Sequence, residues 1–166
     1  YKRQADECPL HHWLMDEAAG ATGAGDTGTS ATRYPLALAG GATFLGPGEG
    51  GGALLSNPNG DDGKFLTFPD GGISFAADGF AFAAWVRVDS VQPDGRILHL
   101  SSSGGGDNAV ALRHDGDSRQ ARAWVNNQGS GAALVADDFF PLALQGAWMH
   151  AALTVTAGGV MTLFQS

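Results

Sequence analysis

Phe80-Ala-Phe-Ala-Ala-Trp-Val-Arg-Val-Asp89 is the stretch whose reading decides the fold. On an extended chain, successive side chains point to opposite faces. Phe80, Phe82, Ala84, Val86 and Val88 then share one side, and Ala81, Ala83, Trp85, Arg87 and Asp89 share the other. The first side is apolar throughout and the second is mixed, with one large aromatic. That pattern predicts a long central strand with neighbours on both edges and a second layer against its apolar face.

Outward from this strand the chain is dense in turns. Gln92-Pro-Asp-Gly95 turns it into Arg96–Leu100. Ala109–His114 and Gln120–Val125 flank Asp115-Gly116-Asp117-Ser118, and Asp-Gly between two extended runs predicts a hairpin. Trp148–Thr156 and Val160–Phe164 flank Ala157-Gly158-Gly159 and predict a second one. A weaker strand is read near Ala133–Val135. Upstream, strands are expected at Leu10–Met15, Tyr34–Leu38, Thr43–Leu45, Ala53–Ser56 and Phe65–Phe68. The loop Asp16–Ser30 carries four glycines, which argues against a helix. Gly46–Gly52 and Asn57–Gly63 are read as turns. No segment of ten or more residues shows the helical period. About ten short strands with regular turn signals predict an all-β protein, an antiparallel two-sheet β-sandwich.

Composition sets further bounds. A chain of 166 residues with 43% hydrophobic residues is expected to form one domain, after a lead-in at 1–9. The formal net charge of −8 argues against nucleic acid as a partner. No apolar run approaches the roughly 20 residues of a membrane helix, so membrane insertion by this segment is not expected. Tyr1–Glu7 is polar and is no signal peptide, which leaves a mature product or an excerpt of something longer. Cys8 is the only cysteine, so no internal disulfide can form, and its state is open between an external partner and an inert thiol.

Three blocks, in order, resemble the laminin-G-like, concanavalin-A-like jelly-roll domains. The first is His12-Trp13-Leu14-Met15-Asp16-Glu17 with Gly20 and Gly25-Asp26-Thr27-Gly28. The second is Gly51-Gly52-Ala53-Leu54, Gly60-Asp61-Asp62 and Phe65–Pro69, leading into Phe80–Val88. The third is Gly146–Val155, with its Trp148-Met149-His150. The resemblance covers 10–166 and implies a jelly roll. The family pattern usually continues past Val160–Phe164 with further strands, so the chain is expected to belong to a longer protein whose other segments, or a neighbouring chain, complete the sheet.

The resemblance also implies calcium near the Gly25–Gly28 loop. Asp26 is the candidate ligand and Asp16 and Glu17 are candidate helpers, since a hard cation takes several oxygens. The competing reading is that Asp26 holds a turn by accepting backbone N–H bonds. Asp61-Asp62, Asp115/Asp117 and Asp137-Asp138 read as solvated turn acids. A glycoside hydrolase, found among related jelly rolls, needs two facing carboxylates about 5–9.5 Å apart. No Glu-x-Asp-x-Glu strand is present, and the expectation is no enzyme. His11, His12 and His150 have no metal-ligand spacing. Gly46-Pro-Gly-Glu-Gly-Gly51 meets a nucleotide-loop spacing, but Pro47 removes an amide and no helix follows.

Four tryptophans remain. Core packing is expected for Trp85 and Trp148. Trp124, beside Asn126 and Asn127, is the candidate exposed ring for stacking a sugar, with the amides to bond its hydroxyls. The expected function is a non-catalytic extracellular or cell-surface recognition module binding protein or glycan. The alternative is a structural building block of a surface assembly.

Overall fold

The computed structural model describes residues 9–44, 65–68, 79–88, 96–101, 109–115, 120–127, 130–141 and 145–166, with residues 65, 101, 109, 114, 115, 126, 127 and 130 described at the backbone only. The turns at 46–52, 57–63, 92–95 and 116–118, the strand expected at Ala53–Ser56, Asp61, Asp62 and Cys8 lie outside the described residues. No helix occurs among those described, and every strand pair is antiparallel. The chain divides into two compact units, Tyr1–Ser74 and Phe75–Ser166.

In the first unit, β1 (Gly23–Ala24), β2 (Leu36–Ala39) and β3 (Phe65–Thr67) form a three-stranded sheet in that order. Ala24, Leu36 and Phe44 are its buried centre, with Trp13, Met15, Ala21, Leu38, Leu66 and Phe68 packed around them. The strand expected at Leu10–Met15 reduces to a single bridge between Trp13 and Asp26. Met15 takes φ 59°, a left-handed conformation that breaks an extended run. Tyr34 and Pro35 precede β2 rather than belonging to it, and Thr43 and Phe44 are not in a strand although Phe44 is buried.

In the second unit two sheets form the sandwich. One has the order β10-β9-β4, from β4 (Gly79–Arg87), β9 (Trp148–Thr156) and β10 (Met161–Gln165). The other has the order β5-β6-β7-β8, from β5 (Arg96–Ser101), β6 (Ala109–Asp115), β7 (Gln120–Asn127) and β8 (Ser130–Ala136). Both expected hairpins form, β6 with β7 and β9 with β10. At the tip of the second, the N–H of Gly159 donates to Thr156 O at 2.9 Å, with Gly159 at φ 79°.

The alternation read in Phe80–Asp89 explains the core. Phe80, Phe82, Ala84 and Val86 stand opposite Val155, Leu153, Ala151 and Met149 of β9. Those four β9 residues are buried, together with Leu98, Leu112, Ala121, Ala123, Phe139 and Phe140. Burying a leucine or valine side chain contributes about 1.5–3 kcal/mol, so this layer is the main source of the unit's stability. Gly79 opens β4 at φ +93°, and a Cβ there would fall 2.1 Å from Val155 O, so β4 meets β9 at a distance that only glycine allows.

The other face of β4 departs from expectation. Trp85 is 64% exposed and Trp148 is 37% exposed, so neither is a core residue. Trp85 pairs with His150, and Arg87 with Trp148, on the outward side of the three-stranded sheet. The physical reason is parity. Residues of odd number on β4 are opposite even-numbered residues on β9, and the apolar layer took the other set.

Candidate functional site

Two constellations gather the residues singled out by the sequence. The first surrounds Asp26. Its side chain has no solvent exposure. Oδ1 accepts from the backbone N–H of His12 at 3.0 Å and of Gly28 at 2.9 Å. Oδ2 accepts from the N–H of Tyr34 at 3.0 Å and faces His11 Nδ1 at 2.8 Å. Burial alone would raise this carboxyl's pKa. The donors of Tyr34, His11, Gly28 and His12 outweigh it and hold Asp26 well below the usual carboxylate range. An ionised carboxylate only accepts, so His11 Nδ1 carries the proton of that bond.

The rest of the cluster keeps this carboxylate in place. The His11 ring stacks on Trp13, with centroids 5.9 Å apart, and meets Tyr34 edge-on at 5.0 Å. Trp13 Nε1 donates to Tyr34 O at 2.8 Å. Arg33 donates to Gly28 O. Gly28 passes so close to the chain at Leu10 that a Cβ would fall 2.3 Å from Leu10 O. Asp26 therefore ties three separate segments, at 11–12, 28 and 34.

This geometry bears on calcium. A carboxylate has about four lone-pair sites, and all four at Asp26 meet N–H donors. None is left for a cation without breaking the loop. Glu17 Oε1 accepts from Gly25 N–H at 3.1 Å, whereas its Oε2 is buried without a hydrogen-bond partner. Asp16 is exposed. Glu17 Oε2 and the exposed carboxylate of Asp16 are the open side-chain oxygens of the three candidates, short of the six to eight oxygens that calcium takes. Among the described residues no three His, Cys, Asp or Glu side chains gather as a metal site. The residues here fit the turn-holding role of Asp26 and do not fit a cation.

The second constellation lies on the outward face of β5-β6-β7-β8. Register aligns His99, Ala111, Trp124 and Ala133 in one row across the four strands. Strands sit about 4.8 Å apart, so β5 and β7 are separated by about 10 Å. Yet the His99 and Trp124 ring centroids are only 6.0 Å apart. The two rings lean towards each other over Ala111, which is fully buried although it faces outward. The alanine makes room for both rings.

The next row is Arg96, Arg113, Arg122 and Val135. The Arg113 guanidinium carbon lies 5.2 Å from the Trp124 ring centroid, within cation–π range. Arg96 Nη1 lies 3.2 Å from His99 Nδ1. Partial desolvation of the ring first, and the charge of Arg96 second, lower the pKa of His99. Beyond the arginines come Asp115, Gln120 and Asp137, where Gln120 donates to Asp137. Asn126 lies two residues on from Trp124, in the adjoining row between Ala109 and Gly131, and Asn127 pairs with Ser130. Their side chains are outside the described residues.

Sequence reasoning singled out Trp124 but not Arg96, Arg113, Arg122 or His99. Part of the signal was present. Arg122 and Trp124 are two apart on one strand, and so are Ala111 and Arg113. The pairing of Arg113 with Arg122 depends on a four-residue connection at 116–119. A two-residue turn at 116–117 would have set Arg113 opposite Gln120. Arg96 joins the face only through a bulge between Arg96 and Leu98.

Comparison with known proteins agrees with this architecture. No curated protein matches the chain. A crystal structure of an S-layer domain-containing protein (residues 221–444) from Clostridium thermocellum ATCC 27405 aligns with a TM-score of 0.53. The alignment covers 93% of this chain and 67% of that one at 22% identity, a likeness of fold alone. The laminin-G family model described as the concanavalin A-like lectin/glucanases superfamily matches residues 59–165. That span takes in all seven strands of the two-sheet sandwich, and on it the chain belongs to the concanavalin A-like lectin/glucanases superfamily.

Proposed function

We propose that this chain is a non-catalytic recognition module of an extracellular or cell-surface protein, taking a glycan or protein ligand on the outward face of β5-β6-β7-β8. The observation that carries the reading is the row His99–Ala111–Trp124–Ala133, a half-buried indole held over a small residue and flanked by flat, short side chains. An aromatic ring braced in this way offers apolar area at low entropic cost, which suits stacking of a sugar ring or a partner side chain. The row holds no carboxylate, and glycoside hydrolysis needs two. The fold neighbour described as an S-layer domain-containing protein supports the surface location. The test is a glycan array and a pull-down from surface extracts, each with wild type and Trp124→Ala, with and without chelator. Loss of the ligand on Trp124→Ala with an unchanged melting curve supports the module. Equal binding by both proteins overturns the site.

A second reading rests on the other sheet. Trp85, Trp148 and Phe164 (52% exposed) lie on the outward side of β10-β9-β4, among Ala81, Ala83 and Ala152. An exposed apolar face of this kind suits a building block that packs on a second chain. Light scattering of the isolated chain decides it. A monomer at all concentrations speaks against this reading, and a dimer that Trp85→Ser dissolves supports it.

A further inference from the structure

We propose that His99 is a proton-operated cover for the Trp124 face: the neutral ring is tethered at a tilt by Arg96, and the protonated ring leaves Arg96 and closes on the indole. The proton step stands on the geometry of this face. Its use, a ligand released in acid, rests on the recognition reading above. The bond to Arg96 fixes where the protons sit. A guanidinium only donates, so His99 Nδ1, 3.2 Å from Arg96 Nη1, accepts. The neutral ring therefore carries its hydrogen on Nε2, and the next proton enters at Nδ1. Two donors and two positive charges then face each other across that contact, and the bond is lost. His99 and Arg96 are both exposed on β5, an outer strand of its sheet, so water reaches the ring and both side chains can move.

The surroundings decide where the freed ring goes. The charged residues of the adjoining row are cations: Arg96 on its own strand, Arg113 on β6 and Arg122 on β7. Asp115 and Asp137, the acids of this face, stand beyond that row. Trp124 lies in the row of His99 itself, with ring centroids 6.0 Å apart and a tilt of 39°. A cation within about 6 Å of an indole centroid is drawn to its face, and Arg113 already makes such a contact at 5.2 Å. Ala111, between the two rings, has no side chain beyond Cβ to keep them apart. The neutral imidazole lacks that attraction, so the contact tightens on protonation. Partial desolvation and the charge of Arg96 both favour the neutral ring, so the proton is taken up below the ordinary histidine value of about 6.5.

The experiment follows the indole N–H signal of Trp124 by NMR on the full chain from pH 8 to pH 4, assigned with Trp124→Phe. Spectra are taken with and without the neutral nitroxide TEMPOL, which broadens signals that it can reach. Broadening of the Trp124 signal is expected to fall in acid, with the same midpoint as the His99 ring signals. His99→Gln keeps a hydrogen-bonding side chain but takes up no proton, and its broadening is expected to be equal at both ends of the range. Arg96→Gln is expected to move the midpoint to higher pH. Broadening that stays constant in wild type, that rises in acid, or that falls equally in His99→Gln overturns this inference and leaves the recognition reading standing. Equal array binding by wild type and Trp124→Ala overturns the recognition reading and leaves the proton step. An array ligand lost on Trp124→Ala is expected to bind wild type about threefold more weakly in acid, the size of an exposed cation–π contact that the ligand must displace. The same ligand held equally at both pH values by wild type overturns release in acid.

Discussion

Arg96 and His99 are three positions apart on β5, yet Arg96 Nη1 lies 3.2 Å from His99 Nδ1. In a regular strand an odd separation puts two side chains on opposite faces. The register shift between Arg96 and Leu98 inserts one extra residue, Ile97, and brings both side chains outward. A bulge thereby places a cation beside an imidazole at the edge of the Trp124 row.

The first prediction follows from that contact. Desolvation lowers the His99 pKa, and the Arg96 charge lowers it further. Arg96→Gln is expected to raise it part of the way back to the ordinary value, because desolvation remains. Histidine ring signals followed by NMR against pH measure the change. A folded pKa below the unfolded value of about 6.5 favours the neutral ring. The stability it contributes is full above that unfolded value and is lost as pH falls through the folded one. Arg96→Gln is expected to shrink that window.

Asp26→Asn is expected to cost about 3–5 kcal/mol in a urea titration, the range for breaking a buried, bonded charge. The amide must turn an NH2 group towards one pair of N–H donors, either His12 and Gly28 or Tyr34 and His11. A loss within experimental error would mean that Asp26 does not tie its loop.

The same carboxylate sets an acid limit. Its folded pKa lies below the unfolded value of about 3.9, so its contribution is complete above that value. The contribution is lost as pH falls through the folded pKa. Urea midpoints measured from pH 6 down to pH 2 are expected to drop steeply for wild type and less steeply for Asp26→Asn.

Gly79→Ala places a side chain at φ +93° against Val155 O. The backbone of β9 or the start of β4 must move, and the expected cost exceeds about 1 kcal/mol. Amide exchange at Phe80 and Ala81 is expected to accelerate. Unchanged exchange and stability would contradict the close approach of β4 to β9.

Trp85→Ser and Leu153→Ala separate the two faces of the strand pair. Trp85 is exposed, so its replacement is expected to change stability by no more than about 0.5 kcal/mol. Leu153 is fully buried, and its truncation is expected to cost about 2–5 kcal/mol. Thermal or urea melts of the two variants suffice. A large loss on Trp85→Ser would return that ring to the core.

What the chain determined by itself is local. Alternation in Phe80–Val88, the turn residues after Asp115 and at Ala157–Gly159, and the absence of a helical period each depend on residues close in sequence. Those features were sufficient for an antiparallel sandwich and for its β6–β7 and β9–β10 hairpins. The long strand also divided correctly into two faces, since parity is fixed by the backbone alone. The identity of the packed face was a different matter. Both faces of Phe80–Asp89 carry large aromatics, and only the pairing with Met149, Ala151, Leu153 and Val155 decided that Trp85 stays outside.

The candidate sites depended on tertiary structure even more. Asp26 was legible as either a cation ligand or a loop tie. The choice came from His11, Tyr34 and Gly28 converging on it from separate segments. The arginine row was not legible at all. It needs one register across β6 and β7 and one bulge in β5, and register is a property of two chains of contacts rather than of one. Period-two patterning states which residues share a face of their own strand. Only the assembled sheet states which residues of other strands stand beside them.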